Sequence, residues 1–285
     1  MKPKRRLGGA VYILPNLMTT GNLFFGFLSI VKGLQGDYLW AALAILVASI
    51  FDVLDGRVAR LTGSTSEFGV QYDSLCDLIS FGLAPAQLAF LIALQDFNRL
   101  GWIAAFLFVA CGALRLARFN VQSSIGKASG DFTGLPIPMA AATIACCVLL
   151  WVDIRVEGSS SHTVFHTLKS YLPFSLERVS KIFLLLLVTS LALAMVSNLT
   201  YRSHKALKIK GVAPFKILVV AVAIIALISY EPEFFGFLFF FFYACSGLME
   251  WLLGWKKPID DSEIFEPSQD DTDDDGTVSP KLEGQ

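Results

Sequence analysis

Apolar residues along this chain fall in long unbroken runs, without the strict alternation of a half-buried strand. Runs long enough to cross a bilayer, which takes ~20 residues of helix, occur near 11–32, 38–61, 73–95, 101–119, 136–153, 179–198, 213–230 and 234–254. Hydrocarbon cannot satisfy exposed backbone N–H and C=O groups, so a spanning segment is a helix or a strand of a closed barrel. Continuous hydrophobicity without period-two alternation selects helices. The expected fold is an all-α integral membrane protein of about eight transmembrane helices.

Composition agrees with lipid as the solvent: 54% of residues are hydrophobic and 16% charged. The net charge of -1 conceals an uneven distribution. Residues 258–285 hold ten acidic side chains and one lysine, leaving 14 acidic against 22 basic in residues 1–257. The chain thus divides into a basic membrane domain, 1–257, and an acidic tail, 258–285, expected to be disordered and cytoplasmic. A cytoplasmic N-terminus puts 17 of the 23 Lys and Arg on the cytoplasmic side, including Arg202, Lys205, Lys208 and Lys210. Both termini are then cytoplasmic, and the expected location is the plasma membrane, the inner membrane of a bacterium. The first apolar run follows Lys2, Lys4, Arg5 and Arg6, but it is too long for a signal peptide and lacks a small-residue cleavage site.

Several features carry little chemistry. The five cysteines lie in apolar stretches without paired spacing and read as packing residues. His162 and His166 stand i,i+4 in the loop 154–178 but have no third ligand nearby, so this is read as an ordinary polar loop. Asp271 to Gly276 resembles the start of a calcium loop, yet its twelfth position is Leu282 rather than Glu. No nucleic-acid partner is expected.

The chemistry lies in Asp52-Val-Leu-Asp55-Gly56-Arg-Val-Ala59-Arg60, followed by Gly69-Val-Gln-Tyr-Asp73-Ser-Leu-Cys-Asp77. A carboxylate at the bilayer centre costs ~3 kcal/mol on insertion scales, so four without partners would cost on the order of 10 kcal/mol. Asp52, Asp55, Gly56 and Ala59 share one face of the second helix, and Gly69, Asp73 and Asp77 one face of the third. Converging across one hairpin, the four carboxylates supply enough charge for two divalent cations, and hard oxygen ligands favour Mg²⁺ or Mn²⁺. Gly56, Ala59 and Gly69 leave a wall without bulk, against which a nucleotide can lie. As helix caps or partners of Arg57, Arg60, Arg115 and Arg118, the aspartates are harder to explain, because a cap accounts for one and not four.

The pattern D-x-x-D-G-x-x-A-R, then after eight residues G-x-x-x-D-x-x-x-D, resembles the signature of the CDP-alcohol phosphatidyltransferase family at eight fixed positions. The resemblance implies a six-helix core, here followed by two extra spans at about 213–254, and a homodimer. It implies that Asp52, Asp55 and Asp73 bind metal and the CDP diphosphate, with Asp73 bridging two ions, and that Asp77 serves as general base while also facing the metals. Arg60 is expected to contact phosphate, its guanidinium being a planar fork of donors.

Four further segments resemble the branch of the family that uses serine as acceptor and CDP-diacylglycerol as donor. They are Pro15-Asn16-Leu-Met-Thr19-Thr-Gly-Asn22, Ser80-Phe81-Gly82-Leu-Ala84-Pro85, Arg115-Leu-Ala-Arg118-Phe119-Asn120 and Gly134-Leu135-Pro136-Ile-Pro138. Arg115 and Arg118, i,i+3 at a helix end, are both able to face the aspartates and bind the serine carboxylate or a lipid phosphate; anchoring to anionic lipid is the plainer reading. Asn120 suits either the amino acid or a helix C-cap. Asn16, Thr19 and Asn22, at three-residue steps, either line a cytidine pocket or hydrogen-bond a neighbouring helix. Asn22 stands where relatives that use glycerol phosphate usually carry Arg. The alternatives are a transferase of the same family with glycerol phosphate, inositol phosphate or choline as acceptor, and a cation transporter. The transporter is disfavoured because the carboxylates cluster at one end and the motif has no second copy.

Overall fold

The computed structural model describes residues 10–64, 66–124, 132–155, 176–201, 222 and 231–252. These contain the helices α1 (Ala10–Leu34), α2 (Tyr38–Thr62), α3 (Glu67–Asp77), α4 (Ala84–Ile92), α5 (Arg99–Ser124), α6 (Ile137–Arg155), α7 (Leu176–Val196) and α8 (Pro232–Leu252). α3 continues into α4 through a π-helical turn, Leu78–Leu83, so that Glu67–Ile92 is one span. By length and composition, Ile13–Leu34, Tyr38–Thr62, Glu67–Ile92, Arg99–Ser123 and Arg178–Val196 can each cross a membrane, while α6 and α8 hold shorter apolar stretches, Ile137–Asp153 and Pro232–Gly247. The expected span 213–230, His162, His166 and the tail 258–285 lie outside the described residues, apart from Val222.

The third span begins at Glu67, not at residue 73 as its apolar run suggests. Its first turns are polar and start from Ser66, whose hydroxyl oxygen accepts a hydrogen bond from Gly69 N–H at 3.0 Å. Hydropathy is silent about a turn that emerges from the apolar layer. α2 ends where Gly63 takes φ 62° and its N–H bonds to Ala59 O, a left-handed cap that only glycine adopts without cost. Asp37 starts α2 by accepting from Trp40 N–H at 3.5 Å.

Small residues set the packing. Ala41, Ala42 and Ala48 of α2, Ala84 of α4 and Ala141 and Ala145 of α6 are buried in a core shared with Phe81, Phe108, Ile144 and Val188. Without a hydrophobic drive between helices in lipid, such close backbone approach supplies the dispersion contact that holds them. Large apolar side chains face outward on the long helices, among them Phe27, Trp40, Phe106 and Leu186, as a lipid-solvated surface requires. The five cysteines are free, three of them buried, as packing residues should be.

The one strand pairing among the described residues is a two-residue antiparallel ladder joining Phe132–Thr133 to Thr200–Tyr201. It ties the segment before α6 to the segment after α7. Gly134 takes φ 76° there, and a Cβ on it would stand 2.2 Å from Met195 O, so no other residue fits. The end of α2, the start of α3, the C-terminal part of α5 and this ladder assemble one end of the bundle.

Candidate active site

Asp52 and Asp55 project from α2, and Asp73 and Asp77 from α3. The helical i,i+3 and i,i+4 spacings put each pair on one face, and the 62–67 turn brings the two faces together. One carboxylate oxygen from each of Asp52, Asp55 and Asp73 lies within 4.8 Å of the others. Asp77 stands beside these three, close enough for the charges of Asp52 and Asp73 to act on it. Asp55 and Asp77 are buried, at 5% and 7% exposure. Asp73 Oδ1 is buried and accepts no hydrogen bond. Like charges this close repel, and hard oxygen donors with an unused lone pair are the donor set of a divalent cation, so the residues fit a metal site.

α1 supplies the partners of the carboxylates. Thr19 Oγ1 donates to Asp55 Oδ2 at 2.9 Å, and Asn22 Nδ2 donates to Asp77 Oδ1 at 2.9 Å. Ser80, in the π-helical turn, donates to the backbone O of Asn22 at 3.0 Å. The widened turn keeps both Asp77 and Ser80 toward α1, as π-bulges at functional sites often do. Thr19 and Asn22 thus hydrogen-bond neighbouring helices, and the targets are the site carboxylates. Asn16 lies near Gly69, its Oδ1 3.7 Å from where a Cβ on that glycine would stand.

Of the glycines expected to form a wall, Gly56 has open space above it, whereas a Cβ on Gly69 would stand 3.1 Å from Ser66 Oγ. A Cβ on Gly56 would meet only Arg60 Nη2 at 3.9 Å, so open space lies over this turn of α2, with Ala59 half-buried beside it. Arg60 is exposed at its rim. The hydroxyls of Thr20 and Tyr72 share a hydrogen bond of 3.0 Å that joins α1 to α3.

The cationic residues of α5 divide. Arg115 is buried at 8% exposure, with the charges of Asp77 and Asp52 acting on it, and its guanidinium carbon lies 5.6 Å from the ring centre of Phe119. Its Nε makes no hydrogen bond. Arg118 instead spans to the end of α7, donating to Val196 O at 3.3 Å and to Asn198 Oδ1 at 2.6 Å. Sixty degrees of helical rotation between i and i+3, at a helix end with different neighbours on either side, sends the two guanidiniums apart. Asn120 donates to Ser74 Oγ at 2.9 Å and joins α5 to α3; because α5 runs on to Ser124, it is not a C-cap. Tyr243 of α8 also lies within electrostatic reach of Arg115. No spacing rule pointed to Tyr243, whereas the three-residue step from Asn16 already put Asn22 on the right face of α1.

A helical bundle with apolar spans and a cluster of aspartates beside an open stretch of helix defines a class: a membrane protein with a site suited to a divalent cation. The family model for CDP-alcohol phosphatidyltransferase matches residues 12–172. The chain is 34% identical to the CDP-diacylglycerol-serine O-phosphatidyltransferase of Helicobacter pylori (strain ATCC 700392 / 26695), over 87% of this chain and 95% of that one. It is 47% identical to the archaetidylserine synthase of Methanothermobacter thermautotrophicus over 46% of this chain and 56% of that one. A CDP-diacylglycerol-serine O-phosphatidyltransferase of Methanocaldococcus jannaschii is 36% identical over 59% of this chain and 80% of its own length. The chain belongs to the CDP-alcohol phosphatidyltransferase family. Its members use divalent metals, and this chain carries the aspartate cluster for them.

Proposed function

We propose that this protein transfers the phosphatidyl group of CDP-diacylglycerol to the hydroxyl of L-serine, giving phosphatidylserine and CMP. The observation that carries this reading is the meeting of Asp52, Asp55 and Asp73 within 4.8 Å, with Asp77 and Arg115 alongside, in a chain whose relatives are named for that reaction. Asp52, Asp55 and Asp73 would hold two divalent cations, Mg²⁺ or Mn²⁺, with Asp77 at the edge of the set. Bound there, the cations would neutralise the donor's diphosphate and the charge that develops as CMP departs.

The chain's own residues do the rest. Gly56, Ala59 and Gly69 admit the CDP moiety, Asn16 and Thr19 border it, and Arg60 meets phosphate at the rim. Asp77 accepts the proton of the serine hydroxyl as its oxygen bonds to the phosphorus carrying the diacylglycerol and the bond to the CMP oxygen breaks. A carboxylate is a weak base in water, but the hydroxyl becomes acidic only as the new bond forms, so placement dominates. Asn22 fixes that placement through its 2.9 Å bond to Asp77. Arg115 serves as the acceptor's anion-binding group, because the acceptor hydroxyl must lie at Asp77 and Arg115 is a buried cation on which the charges of Asp77 and Asp52 act. Arg118 and Asn120 hold α5 to α7 and α3.

The same reading has the protein in a bacterial inner membrane as a homodimer, its termini and site cytoplasmic, with eight spans including 213–230 and an acidic tail. The excess of Lys and Arg on one side supports the orientation. The test is CMP release by purified protein given CDP-diacylglycerol with serine, glycerol phosphate, inositol phosphate or choline in turn. Serine alone should support turnover; another alcohol succeeding where serine fails would overturn the acceptor assignment.

A further inference from the structure

Two buried polar atoms lack a partner, one on a residue bonded to Asp77 and one on a residue within reach of its charge, and their polarities are opposite. Asn22 is fully buried, and its Oδ1 accepts no hydrogen bond; Arg115 is 8% exposed, and its Nε donates none. The orientation of the Asn22 amide is fixed by chemistry. Asp77 as a carboxylate only accepts, so the nitrogen faces it at 2.9 Å and the oxygen takes the other edge of the same planar group. Ser80 pins the backbone of Asn22 from the other side at 3.0 Å, so the side chain is not free to turn away. Leaving an acceptor and a charged donor buried and unmet is costly, and structures rarely keep such atoms without a use.

We infer that Asn22 and Arg115 together read the zwitterion of the amino-acid acceptor, Asn22 Oδ1 accepting from its α-ammonium and Arg115 Nε donating to its α-carboxylate. This rests on the acceptor site proposed above and adds a specificity residue to it. With both ends held, the primary hydroxyl is directed to Asp77. An acceptor with a hydroxyl but no ammonium leaves Asn22 Oδ1 unmet, and one with no carboxylate leaves Arg115 unmet. Selection therefore comes from buried groups that only the right substrate satisfies, the arrangement that rejects analogues most strongly.

The test uses the full-length protein with CDP-diacylglycerol and compares kcat/KM for serine, 3-hydroxypropanoate, which lacks the ammonium, and ethanolamine, which lacks the carboxylate. The unaltered protein should prefer serine to either analogue by ~100-fold or more. Asn22→Leu, similar in volume, should cut the preference for serine over 3-hydroxypropanoate by ~10-fold or more while leaving the preference for serine over ethanolamine, since both of these carry the ammonium. Arg115→Leu should instead collapse the preference over ethanolamine. If Asn22 serves only to orient Asp77, Asn22→Leu lowers every acceptor by one common factor and the ratios stay put, which overturns the inference. Equal use of serine and 3-hydroxypropanoate by the unaltered protein overturns it without any variant. No CMP release with serine from the unaltered protein would remove the acceptor assignment first and this inference with it.

Discussion

Gly26 of α1 is the point at which the placement of Asp77 is most sensitive to a single methyl group. A Cβ added there would stand 2.6 Å from Ser80 Cα and 2.2 Å from Ser80 Oγ. The hydroxyl can rotate away, but the Cα is backbone, and carbon atoms need ~3.5 Å or more between them. Gly26→Ala must therefore push α1 off the third span by about 1 Å at this level. Asn22 is one turn away on α1 and Asp77 one turn from Ser80, so the wedge acts directly on their 2.9 Å bond and stretches it beyond hydrogen-bonding distance. Overpacking of this kind costs about 1–3 kcal/mol of stability, which an intact bundle tolerates. A displacement of about 1 Å at a reacting group costs on the order of 100-fold in rate. The expected result is a ~100-fold lower kcat for CMP release, with CDP-diacylglycerol affinity changed little because Gly56 and Asp52 are untouched. Gly33→Ala on the same helix is the control, since its Cβ would meet Leu91 Cδ1 at an ordinary 3.5 Å. If Gly26→Ala turns over within about threefold of Gly33→Ala, the close approach does not position Asp77 and the reasoning fails.

Four further outcomes follow from the same geometry. Asp77→Asn should abolish transfer while retaining CDP-diacylglycerol binding, and near-normal turnover would show that another group takes the proton. Asp55→Asn should raise the metal concentration needed for half-maximal donor binding by ~10-fold or more, since it removes one charged ligand of three; a titration of binding against Mg²⁺ or Mn²⁺ reads this. Gly56→Leu should leave thermal stability close to the parent's, because a Cβ there meets nothing nearer than Arg60 Nη2 at 3.9 Å, yet weaken donor affinity at least ~10-fold; unchanged affinity would mean that the nucleotide does not lie on this wall. Tyr201→Phe removes a buried hydrogen bond to Ala244 O of 3.1 Å and should lower stability by about 1 kcal/mol in a detergent unfolding assay, with the serine-to-ethanolamine preference intact.

Much of this protein follows from its sequence because lipid restricts what a chain can do. Backbone groups must be satisfied within each span, so apolar runs report helices, and the 3.6-residue period then assigns Asp52 with Asp55, and Asp73 with Asp77, to shared faces before any contact is known. The small residues Gly56 and Gly69 are legible for the same reason, since their register with the carboxylates is local. Contacts between helices are not local, and here the tertiary structure decides. The close approach at Gly26 sets Asn22 rather than Thr19 against Asp77, the π-helical turn after Asp77 carries Ser80 round to α1, and the neighbours of α5 send Arg115 to the aspartates and Arg118 to the end of α7. Each depends on how one helix is rotated and spaced against another, which is settled by packing summed over many side chains and is carried by no single stretch of residues.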